Sequence, residues 1–572
     1  MTSDVTSGFN GAIHSALQLL YDHSSTYNVS IELVQKLAQQ LGLDTFIDKD
    51  AYTHAGTNGE HQFKRLSIAG SLVLIDIDFL DDHTILKVSL SSANHTGEIN
   101  SGSPSDAQSQ EPIIESRSTN SEGLETILLG DNISQRSFLN TSAEGILLQN
   151  LTSSTKLNTF PSNLKYLASL DSLSLPNFDF FLYLDRIALI LSAVSQLKKN
   201  GDDDDELAFT KDIIGEIIAN NKPRLELGIF LKYWQDYRYI NQELKGRDVP
   251  LIGDAHTFRF VIQQGENKTV PNYTLSNQWK IDDKTYEIKF KEVDTVESTN
   301  STLKLSLSEA ITIPKTVIEY LDLYEYETRE TIDEVFQQLS GTQLVGYTLH
   351  GYEVKIGLEF PQEFINVTSL SIKMLNSISR IVPVFRNFHV FNKLIQSIDS
   401  KGEKLDSSEL GKYNEVNRRA LKESLRLPDG VSNEELMGLS LGGDNPALSS
   451  IKPINTAGAD LDDFMKEDER NESEENKMED ESEENKEEQT QTKISMILSE
   501  VDYSSKNTDL IVALQGNVQS QSIDLKFKIS NGQIQSLTED VDMEGGDDKN
   551  EKLIKALKIT EDVIKSIEKV YI

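Results

Sequence analysis

One run of side chains able to do chemistry is Asp76-Ile77-Asp78, with Asp81 and Asp82 close behind. Hard carboxylate oxygens at this spacing are the ligand type that Mg²⁺ or Mn²⁺ takes at a nucleotide-sugar site. The aspartates also alternate with Ile75, Ile77 and Phe79. A strand sends successive side chains to opposite faces, so the run reads equally as the wet face and turn of a hairpin. No glycine-rich phosphate loop stands nearby. His54 and His61 come nearest to a histidine pair, but they flank Ala55–Gly59 with only Glu60 beside them and have no third ligand at metal spacing. Gly438-Leu439-Ser440-Leu441-Gly442-Gly443 carries glycines without the lysine that a phosphate loop needs. No H-E-x-x-H, G-x-x-x-x-G-K-[ST] or G-x-S-x-G motif occurs. The sequence therefore assigns no catalytic, cofactor-binding or metal-ligating residue, and the expectation is a protein that is not an enzyme and needs no cofactor.

Composition narrows the function classes further. The 572 residues contain no cysteine, which removes disulfides, thiolate metal sites and cysteine nucleophiles. The formal net charge is −37. DNA binding draws on lysine and arginine to displace counterions from phosphates, so the chain as a whole is repelled by nucleic acid. Anionic membrane surfaces are disfavoured for the same reason. Met1–Asn10 has no positive region followed by an apolar one, so no secretory signal is expected. The most apolar stretch, Phe178–Leu197, is interrupted by Asp179, Asp185, Arg186, Ser192 and Ser195 and does not resemble a membrane span. Neutral or basic proteins are the natural partners.

The elements that would position these residues follow from periodicity. Ile13, Ala16, Leu17, Leu20 and Tyr21 form one helical stripe, and Ile31, Val34, Leu37, Ala38 and Leu41 another, with Ser30 as N-cap and Gly42 just past the end. Residues 72–79 and 84–90 read as a β-hairpin around Asp81-Asp82-His83. Helical character is expected over 124–198, and Ile213–Ala219 reads as one more short helix. Period two dominates from 224 to 360, clearest at 258–262, 286–290, 303–307 and 352–356. Residues 363–398 read as helical, with Pro383 forcing a kink or break. Asp460–Glu488 holds sixteen acidic and four basic residues, a net of −12, which prevents collapse. Near the end, Ile523–Ile529 alternates, Asn531-Gly532 supplies the positive φ angles of a type I′ turn, and Gln533–Leu537 returns. A final helix carries Leu553, Ala556, Leu557, Ile564, Ile567 and Tyr571, with Glu551/Lys555 and Glu561/Lys565 as favourable pairs.

These readings give an α+β fold with disordered insertions. The expected units are a helical pair plus β-hairpin (1–95), a disordered insertion (96–123), a helical segment (124–222), a mostly antiparallel β-rich domain (223–360) and a helix (361–399). A disordered acidic linker (400–492) then leads to a C-terminal hairpin and helix (493–572). A tail of that size is marginal alone, so it is expected to pack back on the body.

The order of pieces in the N-terminal third carries a resemblance. A helix is followed by Ser30-Ile31-Glu32-Leu33, then Leu41-Gly42-Leu43-Asp44-Thr45-Phe46, then Leu66-Ser67-Ile68-Ala69-Gly70. Val73–Phe79 and Lys87-Val88-Ser89-Leu90 come next, and later Ile146-Leu147-Leu148 and Phe160-Pro161-Ser162-Asn163-Leu164-Lys165-Tyr166-Leu167. This succession resembles the fungal branch of the Mediator subunit 1 family over roughly residues 10–200. The resemblance implies a nuclear, non-catalytic scaffold of the middle module. It would dock to subunits four and nine and relay activator signals to RNA polymerase II without touching nucleic acid or membrane. Animal members carry Leu-x-x-Leu-Leu boxes that dock into nuclear receptors. Leu124-Glu125-Thr126-Ile127-Leu128 comes nearest here and has isoleucine where the first paired leucine belongs, so receptor docking is not carried over. The competing reading is an acidic histone- or chromatin-binding protein that works through Asp460–Glu488. Arg380 and Arg386, beside Phe385 and Phe388, suit either an interface or an ordinary amphipathic helix.

Overall fold

The computed structural model describes residues 23–56, 59–93, 114–119, 125–129, 137–140, 142–176, 178–199, 215–235, 255–265, 278–282, 287–289, 300–323, 325–341, 344–349, 351–373, 375–399, 403–404, 492–505, 508–518, 521–537 and 548–571. The expected first helix, most of the 96–123 insertion, the glycine run at 438–443 and the acidic run Asp460–Glu488 lie outside them.

Ser30 starts the first described helix. Its hydroxyl accepts from the Leu33 backbone N–H at 3.2 Å, and α1 (Ile31–Gln40) runs to Gly42, which sits at φ +80°. Its stripe of Ile31, Val34, Leu37 and Ala38 is buried. An antiparallel meander follows: β1 (Asp44–Gly56), β2 (Gly59–Ala69), β3 (Val73–Phe79) and β4 (Ile85–Ser92). The 72–90 hairpin is thus half of a sheet. β1 and β2 escape the periodicity reading because charged residues, histidines and glycines outnumber apolar ones over most of their length.

The chain continues through β5 (Ile114–Thr119), β6 (Glu125–Leu129) and the helices α2 (Ala143–Thr152), α3 (Phe160–Leu173) and α4 (Phe180–Lys199). Strands β7 (Glu216–Asn221), β8 (Glu226–Gln235), β9 (Ala255–Gln264), β10 (Gln278–Asp282), β11 (Glu287–Lys289) and β12 (Ser301–Pro314) come next. Two short helices, α5 (Lys315–Tyr320) and α6 (Glu334–Gly341), bracket β13 (Tyr326–Arg329). Then come β14 (Leu344–Leu349), β15 (Tyr352–Leu358), β16 (Phe364–Ser371), α7 (Ile378–Asp399) and β17 (Glu403–Lys404). The last described segments are β18 (Thr492–Asp502), β19 (Asp509–Val518), β20 (Gln521–Ser530), β21 (Gln533–Ser536), α8 (Asp548–Thr560) and α9 (Val563–Tyr571).

The chain is α+β. Besides the meander, its strands order as β11-β10-β6-β5, as β13-β16-β12-β9-β8-β7 and as β17-β14-β15-β18-β19-β20-β21. Every pairing among the described residues is antiparallel except β15 with β18, which is parallel from Tyr352↔Thr492 to Leu358↔Leu498.

Four local readings are corrected. Glu125–Leu129, expected within the helical stretch 124–198, form strand β6 between β5 and β10. Ile217 and Ile218 lie in a strand, β7, opposite Leu231 and Phe230, not in a helix. A short run of β-branched residues fits either state, and here the partner strand decides. Residues 364–371 are a strand inside the six-stranded sheet, and the helix begins only at Ile378. It runs through Pro383, which lies near its start and removes a single backbone donor. The C-terminal helix is two helices, broken at Glu561 with φ +46°. Glu551 and Lys555 pair at 2.9 Å as expected, whereas Glu561 pairs with Lys393 at 3.6 Å and Lys565 with Asp562 at 3.5 Å. The Asn531-Gly532 turn takes the positive φ angles read from its sequence, +48° and +75°.

Helix α7 is the shared core element. It touches β8 and β12 of one sheet, β14, β19 and β20 of another, and α9. Arg386 on this helix is 1% exposed. Its Nε donates to the Tyr233 carbonyl of β8 at 2.5 Å and its Nη1 to Asn531 Oδ1 at 2.8 Å. The neighbouring Asn387 accepts from Gly532 N at 2.7 Å and donates to Thr508 O at 3.0 Å. A side chain at Gly532 would meet the Trp234 ring at 2.6 Å and Arg386 Cβ at 2.9 Å. The turn is therefore wedged between β8 and α7, and only glycine fits there.

Two outcomes follow. Gly532→Ala combines a left-handed φ with overpacking and is expected to lower stability by about 2–4 kcal/mol, read from a denaturant midpoint. A protease site placed between Ser450 and Ile451 is expected to yield two fragments that co-elute on a native sizing column, because β15–β18 pairing and α7 packing hold them together. Separation under native conditions would refute the second expectation.

Candidate functional site

The four aspartates that opened the metal question are all engaged by protein groups. β3 lies between β2 and β4, so Asp78 stands opposite Arg65 on one side and Lys87 on the other. Arg65 donates to both Asp78 oxygens, at 2.7 and 3.1 Å, and Asp78 is 5% exposed. Two parallel donors make the strong fork geometry of an arginine–carboxylate pair. Asp76 accepts from Ser67 Oγ at 2.6 Å. Asp81 caps the β3–β4 turn, accepting from His83 N, Thr84 N and Thr84 Oγ1 at 2.8, 2.7 and 2.9 Å. These donors, the His83 backbone first, hold its carboxyl below the usual range. Asp82 pairs with Lys64 at 2.9 Å. Ile75, Ile77 and Phe79 are fully buried on the opposite face. Alternation thus explains the pattern, with Asp78 covered by its arginine rather than bathed in solvent.

His54 and His61 stand directly opposite each other in the β1–β2 register, and Glu60 opposite Ala55. Among the described residues, no group of three or more His, Cys, Asp or Glu side chains could hold a metal ion. No helix among them is long and apolar enough to cross a membrane. Glu125–Leu128, from the stretch nearest to a receptor box, lie in strand β6. Phe385 and Phe388 are fully buried beside Arg386, so that part of α7 is core; Arg380, at its start, is exposed.

The polar groups that matter most were not singled out by chemistry. Asp171, at the end of α3, accepts from three successive backbone N–H groups of the β2–β3 turn: Ser71 at 2.7 Å, Leu72 at 2.6 Å and Val73 at 3.1 Å. Gly70 makes the approach possible, since a Cβ there would lie 2.5 Å from the Asp171 carboxyl carbon. Two turns of α3 earlier, Asn163 donates to the Leu225 carbonyl at 2.8 Å and to Asn150 Oδ1 at 2.7 Å, and accepts from Leu227 N at 2.9 Å. Leu225 is held at φ +53° by these contacts and by Asn150 and Thr159. Tyr166 donates to the Phe260 carbonyl at 3.1 Å and lies 3.9 Å from the Arg259 guanidinium. Burial pushes its phenol up, with Arg259 opposing and Asp185 adding. Gly228, at φ +124°, leaves room for that ring. Helix α3 therefore locks the N-terminal meander to the six-stranded sheet.

Gly70, Asn163 and Tyr166 fall within Leu66–Gly70 and Phe160–Leu167, two of the pieces whose succession carries the resemblance. A family model described as Mediator of RNA polymerase II transcription subunit 1 matches residues 14–400. The chain belongs to the Mediator subunit 1 family. No curated protein matches it. Membership of the Mediator subunit 1 family makes it a Mediator subunit concerned with regulating transcription, in association with other Mediator subunits. The match ends at residue 400, before β18–β21, α8 and α9. Yet β18 pairs directly with β15 inside the matched region.

The signal for Asp171 was present but mute. A lone aspartate on a helix names no partner 100 residues away, whereas Gly70 between two strands does mark a turn. Asp171→Ala would leave three backbone donors short of their acceptor, at about 1–3 kcal/mol each when buried. Gly70→Ala is expected to destabilise as well. In the double variant the penalty of the Gly70 substitution should shrink, because the carboxylate it collides with is gone, giving a non-additive cycle in urea denaturation.

Proposed function

We propose that this chain is a non-catalytic scaffold of the Mediator middle module, working in the nucleus by contact with subunits four and nine. It passes regulatory signals to RNA polymerase II indirectly and binds neither nucleic acid nor membrane. Family membership over residues 14–400 is the observation that carries this reading. The state of the carboxylates supports it: Asp76, Asp78, Asp81 and Asp82 each spend their lone pairs on serine, arginine, backbone or lysine donors. A strongly acidic surface favours neutral and basic proteins over phosphate-bearing ligands.

The acidic run Asp460–Glu488 favours a second reading, a histone- or chromatin-binding protein. One experiment separates the two. Tagged full-length chain and a form lacking Asp460–Glu488 are purified from nuclear extract and their partners identified by mass spectrometry. The scaffold reading expects other Mediator subunits with both forms. Recovery of histones alone, lost on the deletion, would establish the second reading, and recovery of the chain alone would refute both.

A further inference from the structure

Tyr320, 40% exposed, and Phe360, 43% exposed, belong to one composite surface. Four distant segments build it: α5, the β15–β16 loop, the start of α7 and the β18–β19 turn. Tyr320 Oη donates to the Tyr503 carbonyl at 2.7 Å, and the two rings lie 4.6 Å apart. Tyr503 Oη donates to Thr316 Oγ1 at 3.3 Å. Thr316 donates in turn to Gln362 Oε1 in the loop that carries Phe360, at 3.4 Å. Arg380 Nη2 donates to the Tyr320 carbonyl at 3.1 Å, with its guanidinium 5.3 Å from the Tyr320 ring. Lys315 Nζ binds Glu363 at 3.3 Å. The Tyr320 and Tyr503 rings are thus fixed before any partner arrives, which lowers the entropy lost on binding.

The surrounding charge leans negative. Arg380 and Lys315 already have partners within the chain, and Lys526 on β20 is near enough to Glu359 to offset part of its charge. Glu319, next to Tyr320, Glu359, next to Phe360, and Glu500 on β18 are exposed, and none sits in an ion pair among the described residues. Glu359 N donates to the Leu498 carbonyl, which brings the Phe360 loop beside this part of β18. Burial pushes the Glu359 carboxyl up; Glu500 adds to this and Lys526 opposes it. Two carboxylates that repel each other beside exposed aromatic rings are complementary to lysine or arginine, which pairs with the former and stacks on the latter. The same carboxylates repel phosphate, so the charge disfavours nucleic acid.

We propose that the Tyr320–Tyr503–Phe360 surface, rimmed by Glu319, Glu359 and Glu500, docks a basic segment of a partner protein that interleaves lysine or arginine with leucine-type side chains. The apolar side chains cover Tyr320 and Phe360, and the cations pair with the rim carboxylates. This goes beyond membership of the Mediator subunit 1 family and does not depend on which assembly the chain joins.

The test uses full-length protein and a fluorescein-labelled synthetic peptide alternating Lys-Lys with Leu-Leu, followed by anisotropy at physiological ionic strength. The counterpart with glutamate for lysine is the control. The parent is expected to bind the basic peptide and not the acidic one. Tyr320→Ser with Phe360→Ser, and separately Glu319→Lys with Glu359→Lys, are each expected to weaken binding about tenfold or more, as loss of anchor residues does. The charge pair removes no side-chain hydrogen bond or ion pair among the described residues, so its melting temperature should stay close to the parent's and keep the test valid if the aromatic pair unfolds. Absence of binding by the parent, or unchanged binding by the charge pair, would overturn the proposal. So would loss of binding confined to a chain lacking Asp460–Glu488, which would place the affinity in the acidic run. A negative result here leaves the Mediator purification unaffected, and the reverse also holds.

Discussion

A buried arginine and its neighbour hold this molecule together. Arg386 and Asn387 reach from one helix to the Tyr233 carbonyl of the six-stranded sheet and to the Asn531-Gly532 turn of the seven-stranded one. A guanidinium taken out of water is tolerable only where its donors are met by well-placed acceptors. That condition fixes the spacing between β8, α7 and the β20–β21 turn simultaneously. It also accounts for a glycine where any Cβ would collide with Trp234 and Arg386. Strands that begin at residue 492 are therefore as much a part of the body as the residues before 400.

The same device recurs at the other end of the molecule. Asp171 satisfies three turn amides, Asn163 and Asn150 hold Leu225 in a left-handed conformation, and Tyr166 reaches the Phe260 carbonyl. In each case a helix side chain completes the hydrogen bonds of a turn or strand that its own backbone leaves open. Buried polar groups used in this way give orientation rather than reactivity. They hold the elements of the two large sheets and the N-terminal meander in a fixed relative geometry.

How much of this was legible beforehand differs by element. The α1 stripe, its Ser30 cap and Gly42 stop, the 72–90 hairpin and the Asn531-Gly532 turn all rest on local rules: apolar spacing, capping chemistry and positive φ. Such rules involve residues a few positions apart, and they read through correctly. β1 and β2 carry too few apolar residues for a period, and the isoleucines of β7 fit two periods. These strands are settled by the partners they pair with. The break at Glu561 was hidden because Leu553, Leu557, Ile564 and Ile567 keep one face across it.

From composition and local pattern alone came the α+β class and the absence of cysteine chemistry, and the order of short segments along the chain carried the family resemblance. Each depends on residue identity or on neighbours along the chain. Tertiary structure alone decided that Asp78 belongs to Arg65, that Asp171 caps a turn 100 residues away, that Arg386 is core while Arg380 is surface, and that β18 lies parallel to β15. These facts depend on distances between residues far apart in sequence. A side chain's type states what it can bond, and only the fold states what stands within reach.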